Sequence, residues 1–223
     1  VGMLSDEAVR LIRGEKGTPV TLTVQKKDGT IKEVTMIREE VAIEDTFARS
    51  IVVNTPNGKK YGFINLPSFN ADFENAKGRN ASDDIKNEII KLKEQNIQGI
   101  ILDLRNNGGG SLTEVGDIMG LFMEAGPYVQ VKDGNGKIQT LKNKNETPIW
   151  TGPLVIMQNE LSASASEILA GVMQDYGRAM IIGSPQSFGK GTVQTFVDLN
   201  RFLNTEDDFG SLKLTIQKFY RIT

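Results

Sequence analysis

Residues 97–124 read IQGIILDLRNNGGGSLTEVGDIMGLFME. An apolar run from Ile97 to Leu104 stops at Arg105-Asn106-Asn107 and three glycines, and a helical pattern follows from Ser111 to Glu124. A short continuous apolar run reads as a strand buried on both faces, and the glycines fit a tight turn. The same succession recurs downstream, where Pro153 to Met157 reads as a buried strand and Ser164 to Tyr176 as a helix. Strands alternating with helices predict an α/β fold with a mixed, largely parallel sheet and right-handed crossovers. Sites in such sheets gather where strands hand over to helices, which singles out Gly108–Gly110 and Ser164.

Upstream, Asn80 to Gln95 is amphipathic, with Ile85, Ile89 and Leu92 at helical spacing. Ile51–Val53 and Lys60–Asn65 bracket Pro56-Asn57-Gly58 as a hairpin. Downstream, Asp133-Gly134-Asn135-Gly136 is a polar turn between short strands within Lys132–Lys144. Ala179–Ile182, Thr192–Asp198 and Leu212–Tyr220 read as further strands, and Ser184–Gly191 as a loop. Before Ile43 the pattern differs. Ser5–Arg13 reads as a short helix capped by Ser5, and Val20–Lys26 and Ile31–Arg38 form a hairpin about Asp28-Gly29. One helix and one hairpin bury too little to stand alone. Two domains are therefore expected: 1–42, the tail end of a small module, and 43–223, the main α/β core. Val1 opens inside a domain and Thr223 directly follows a strand, so the chain reads as a piece of a longer protein.

The 223 residues are 39% hydrophobic and 24% charged with net charge -2, an ordinary globular balance that argues against disorder. Charges of both signs are interspersed, which gives no reason to expect nucleic acid as a partner. No apolar run reaches the ~18 residues of a membrane-spanning helix. Histidine and cysteine are both absent, which excludes Ser-His-Asp and Cys-His chemistry, disulfides and thiolate metal sites within this chain. A serine nucleophile here must take a lysine as its base.

Ser164-Ala165-Ser166-Glu167 fits a capping box, the ordinary reading of such a run. A serine at a helix start also has backbone N–H donors and the positive dipole end beside it, where an oxyanion develops. Small Ala163 and Ala165 leave it open. Lys190, between Gly189 and Gly191, ordinarily reads as a solvated loop charge. Free lysine titrates near ~10.4, so a basic role requires burial, and Phe188 is the expected apolar wall. The loop is not a phosphate cradle. Five residues separate Gly183 from Gly189 where a P-loop has four, and Gly191 replaces the Ser or Thr after the lysine. The Gly108–Gly110 run lacks the last glycine of a dinucleotide fingerprint, Thr113 standing there. It reads as a tight turn or as a second source of oxyanion donors, with Gly109 or Gly110 beside the N–H of Ala165. If a strand runs through Thr192, Lys190 and Gln194 share a face, and Gln194 can orient the amine. Glu167 and Asp175 are further acidic residues on the same helix, ordinarily capping or solvated.

Together these stretches resemble the carboxyl-terminal processing peptidases, most nearly their bacterial tail-specific protease branch. The resemblance rests on Ser162–Ile168, Gln174–Ala179, Phe188–Gln194, Leu214–Arg221 and Asp103–Gly110. It implies a crotonase/ClpP-like protease core over 43–223, and the C-terminal part of a PDZ-like domain over 1–42. It implies a Ser-Lys dyad of Ser164 and Lys190 with Gln194 behind the lysine and Asp175 in a structural part; Glu167 is a further supporting candidate from its place on the same helix. Lys190 follows Ser164 by 26 residues, one more than the family pattern, which places an extra residue in Ser184–Ser187. The implied activity is endoproteolysis near protein C-termini, without metal or cofactor, on unstructured tails, with room for an adaptor protein. The implied location is the bacterial cell envelope, in the periplasm. As a piece, the chain is expected to cleave more slowly than its full parent. Two other readings use the same scaffold: a non-catalytic peptide- or ligand-binding module, and an acyl-thioester enzyme of the crotonase type. Neither needs Ser164, Lys190 and Gln194 together.

Overall fold

The computed structural model describes residues 3–39, 44–72, 78–201 and 209–223. The chain divides into two compact units, Val1–Glu44 and Asp45–Thr223. The expected boundary at 42/43 lies outside the described residues.

In the smaller unit, helix α1 (Ser5–Ile12) precedes the antiparallel hairpin of β1 (Pro19–Gln25) and β2 (Ile31–Ile37). Leu4, not Ser5, occupies the N-cap of α1, and no side chain caps it. At the hairpin turn Gly29 has φ +86°, a conformation open to glycine without strain.

The larger unit is built on a five-stranded sheet in the order β3 (Arg49–Asn54), β4 (Lys60–Asn65), β5 (Ile100–Asp103), β8 (Leu154–Gln158), β9 (Met180–Gly183). Only the β3–β4 hairpin is antiparallel; β4, β5, β8 and β9 run parallel. Helices α2 (Ala81–Glu94), α3 (Leu112–Phe122) and α4 (Ala165–Asp175) supply the connections. Ile64, Leu102 and Ile156, from three adjacent strands, are wholly buried, as are Ile85 and Ile89 of α2, Ile118 and Met119 of α3, and Leu169 and Met173 of α4. Each such side chain contributes roughly 1.5–3 kcal/mol through burial.

A second sheet, antiparallel throughout, has the order β10 (Thr192–Asp198), β11 (Ser211–Tyr220), β6 (Gly126–Asp133), β7 (Ile138–Asn143). The parallel arrangement expected from strand–helix alternation thus describes one sheet of this unit. β6 begins at Gly126, well before the expected short strand at Lys132, because Tyr128, Val129 and Val131 are buried along it. A β-bulge between Val193 and Gln194 shifts the register of β10 against β11.

Candidate active site

The parallel strands β5 and β8 end side by side, and the turns that follow them are stitched together. Ser162 Oγ donates to Leu104 O (2.8 Å), Ala163 N to Asn107 O (3.0 Å) and Ser166 Oγ to Asn107 O (2.9 Å). Asn106 and Asn159 exchange two further bonds, Asn106 N to Asn159 Oδ1 (2.9 Å) and Asn159 Nδ2 to Asn106 Oδ1 (2.8 Å). Ser162, Ser166 and Asn107 are wholly buried. The outer two serines of the run are therefore spent on structure, and the middle one, half-buried Ser164, remains at the mouth of the turn.

Ser164 is the N-cap of α4 with φ 57° and ψ -113°. Positive φ is uncommon for a residue with a Cβ, and such strain persists where the surroundings over-determine it. Gly109 makes the close approach feasible: a Cβ there would lie 2.7 Å from Ser164 Cβ and 2.8 Å from Ala163 O. The N–H of Gly109 is engaged by Asn107 Oδ1 (2.8 Å). Among the described residues, no acceptor pairs with the N–H of Gly110 or of Ala165. Of the two glycines expected to supply a donor, Gly110 carries the open one and Gly109 serves the packing.

Lys190 lies in the loop between β9 and β10. Glu167, one turn into α4, fastens that loop to the serine turn. Its Oε2 accepts from Ser164 N (2.7 Å) and Lys190 N (3.0 Å), and its Oε1 from Ser187 Oγ (2.7 Å) and Gly189 N (2.6 Å). Phe188 N donates to Ser162 O (3.0 Å) as a further tie. The loop is held on both sides of Lys190, since Phe219 N donates to Gly191 O (3.0 Å), and at its start, where Ser184 N donates to Gln158 O (3.2 Å) and Ser184 Oγ to Glu160 Oε2 (2.7 Å).

A cleft of about 80 Å³ gathers Ser164, Ala165, Gly110, Lys190 and Gln194, with Leu112, Ile168, Val193 and Phe219 as apolar lining. The expected apolar wall, Phe188, is instead 61% exposed and stands outside the cleft. Lys190 and Gln194 do not meet by simple strand alternation, because Lys190 precedes β10 and the bulge falls between them. The bulge sets Val193 opposite Gln217 and Gln194 opposite Thr215, on one face of β11, so both reach the cleft. Gln194 Nε2 donates to Thr215 Oγ1 (3.4 Å). Tyr128 OH donates to Leu112 O (3.2 Å), beside the cleft, and burial pushes its hydroxyl up to about 12. It remains a neutral donor across the physiological range.

Asp175 lies at the other end of α4, outside the cleft. It pairs with Arg221, Nε to Oδ2 at 3.2 Å with a second contact from Nη2 to Oδ1, and Arg221 Nη2 also reaches Gln174 Oε1 (3.1 Å). A larger cavity, about 270 Å³, lies along this side of α4, touching Glu167, Asp175 and Arg221 but neither Ser164 nor Lys190. Ser164 and Lys190 line only the smaller cleft of the two. Asn107, Ser187 and Arg221 were not singled out by sequence, since each acts through partners distant along the chain. Among the described residues, no three or more His, Cys, Asp or Glu side chains converge as metal ligands would, and no helix is long and apolar enough to cross a membrane.

An α/β core that presents one serine from a strained strand-to-helix turn, with a lysine on the loop between β9 and β10 beside it, has the build of a serine-type peptidase. Residues 60–223 match the model of peptidase family S41, and the chain belongs to that family, the carboxyl-terminal processing peptidases. It is 40% identical over its whole length to 31% of the tail-specific protease of Haemophilus influenzae. It is 33% identical, over 96% of its length, to 47% of a carboxyl-terminal-processing protease of Picosynechococcus. Among solved structures, the photosystem II D1 C-terminal processing protease superposes with a TM-score of 0.63 at 25% identity, covering 98% of this chain and 55% of that one. The chain spans between 31% and 47% of these two curated relatives.

Proposed function

We propose that this chain carries the Ser-Lys catalytic core of an endopeptidase that cleaves proteins near their C-termini. The observation that carries the reading is the single cleft shared by Ser164, Lys190 and the open N–H groups of Gly110 and Ala165. Ser164 Oγ attacks the scissile carbonyl carbon while Lys190 Nζ takes its proton as general base. The tetrahedral oxyanion receives the N–H groups of Gly110 and Ala165. The ammonium of Lys190 then protonates the leaving amine, and the acyl ester stays on Ser164. Lys190 deprotonates a water that attacks this ester, releasing the new C-terminal carboxylate and restoring Ser164. Gln194 borders the same cleft and orients the lysine amine.

The tail preference rests on the names of the relatives, a tail-specific protease and carboxyl-terminal-processing proteases. With it go unstructured, apolar-ended tails as substrates, a bacterial envelope location, and a PDZ-like origin for the α1–β1–β2 unit. Cleavage of a tail peptide by the protein in its natural length tests the dyad. Ser164→Ala and Lys190→Ala are each expected to lower kcat by roughly 10³-fold or more, with no dependence on added metal. Substantial turnover by either variant, or a rate abolished by chelator and restored by zinc, rejects the reading.

A further inference from the structure

We infer that Glu167 is the positioning residue of this site, a clasp that must be a carboxylate because it holds four donors from two chain segments at once. The inference rests on the Ser-Lys reading above. Two of the donors belong to the turn and loop that carry the reacting groups: Ser164 N–H and Lys190 N–H share Oε2 at 2.7 and 3.0 Å. The other two, Ser187 Oγ and Gly189 N–H, share Oε1 at 2.7 and 2.6 Å. An ionised carboxylate accepts at both oxygens and donates nowhere, which matches this set of donors.

The ordinary alternative is that Glu167 only completes the capping box of α4. A capping box accepts Glu or Gln at this position alike. The clasp does not. A glutamine turned with its amide nitrogen toward Ser164 and Lys190 sets N–H against two fixed backbone N–H groups. Turned the other way, it faces the fixed N–H of Gly189, and only the Ser187 hydroxyl can rotate to accept. Either way a backbone donor loses its partner, and the Lys190 loop loses its hold on the Ser164 turn. Reacting groups displaced by about 1 Å lose on the order of 10²-fold in rate.

The test compares Ser164→Ala, Lys190→Ala, Glu167→Gln and Ser187→Ala in the protein at its natural length, by tail-peptide kinetics and thermal unfolding. Glu167→Gln is expected to lower kcat on the order of 10²-fold. Its KM should stay within about threefold of wild type, as for an interaction that serves the transition state. Ser187→Ala, which leaves the capping pair untouched, is expected to lower kcat by roughly tenfold or less at unchanged Tm. A Glu167→Gln enzyme that folds and keeps kcat within about twofold of wild type overturns the clasp, since that is the behaviour of a cap alone. If Glu167→Gln fails to fold, Ser187→Ala decides: a lowered kcat supports the clasp and a wild-type kcat overturns it. Full activity in Ser164→Ala or Lys190→Ala sinks the dyad reading itself. Inactive dyad variants beside a fully active Glu167→Gln sink only the clasp.

Discussion

Ser164 occupies a backbone conformation that costs a side-chain-bearing residue on the order of 1–3 kcal/mol. The cost is offset by the bonds around it: the buried serines on either side, the Asn107 carbonyl and the Glu167 carboxylate. The absence of a Cβ at Gly109 is part of the same arrangement. Gly109→Ala adds a methyl group 2.7 Å from Ser164 Cβ at a φ of +101°, so the serine turn must shift. It is expected to destabilise the chain by on the order of 3 kcal/mol and to abolish labelling of Ser164 by a serine-acylating probe. Undiminished labelling at wild-type Tm contradicts this. At this scale much was legible from sequence. The middle serine, the lysine, the glutamine and the glycine run all stand at the cleft or its edge. What local sequence could not supply was direction and partnership. Phe188 adjoins the lysine in sequence yet points to solvent, and the loop's anchor is Glu167, some twenty residues earlier.

The elements followed their sequence patterns closely where one face is buried and less so where hydrogen bonding sets the outcome. α2 begins after Asn80 as its spacing predicts, with Asp83 and Asp84 at its positive end and Lys91 and Lys93 at its negative end. The bulge in β10 left no mark that alternation could reveal, and it is what brings Gln194 to the cleft. α3 and α2 also meet through carboxylates. Asp117 of α3, although exposed, is raised above its ordinary value, first by partial desolvation and then by the charge of Asp83 on α2. Its raised folded-state value means that its contribution is intact below the ordinary aspartate range and lost as pH rises through the raised one. Asp117→Asn should therefore raise Tm at pH 7, and the gain should fade as pH drops through the carboxylate range. A gain that persists undiminished at pH 3 would assign the effect to packing instead.

At the scale of the larger unit, the site is divided between two sheets. The parallel sheet presents Ser164, Ala165 and Gly110, and the antiparallel sheet brings Lys190 and Gln194. Sequence alternation predicted the first sheet but not the second, because β6 and β11 pair across more than eighty residues and no local pattern records such a partner. Asp175 and Arg221 tie the end of α4 to the segment after β11. Asp175→Arg is expected to lower both Tm and kcat, and Arg221→Asp in the same chain should recover part of both. No recovery in the double variant would mean that Asp175 acts other than through Arg221. β11 has a consequence of timing. It joins β10 to β6, and through it the strand that follows Lys190 meets the rest of its sheet. On a ribosome the serine turn emerges long before Tyr220, so the nucleophile is made early while its base lacks a foundation. A nascent chain is therefore unarmed until β11 is laid down. A chain ended at Gly210 should accordingly leave Ser164 inert to an acylating probe, and prompt labelling of it would refute this order of assembly.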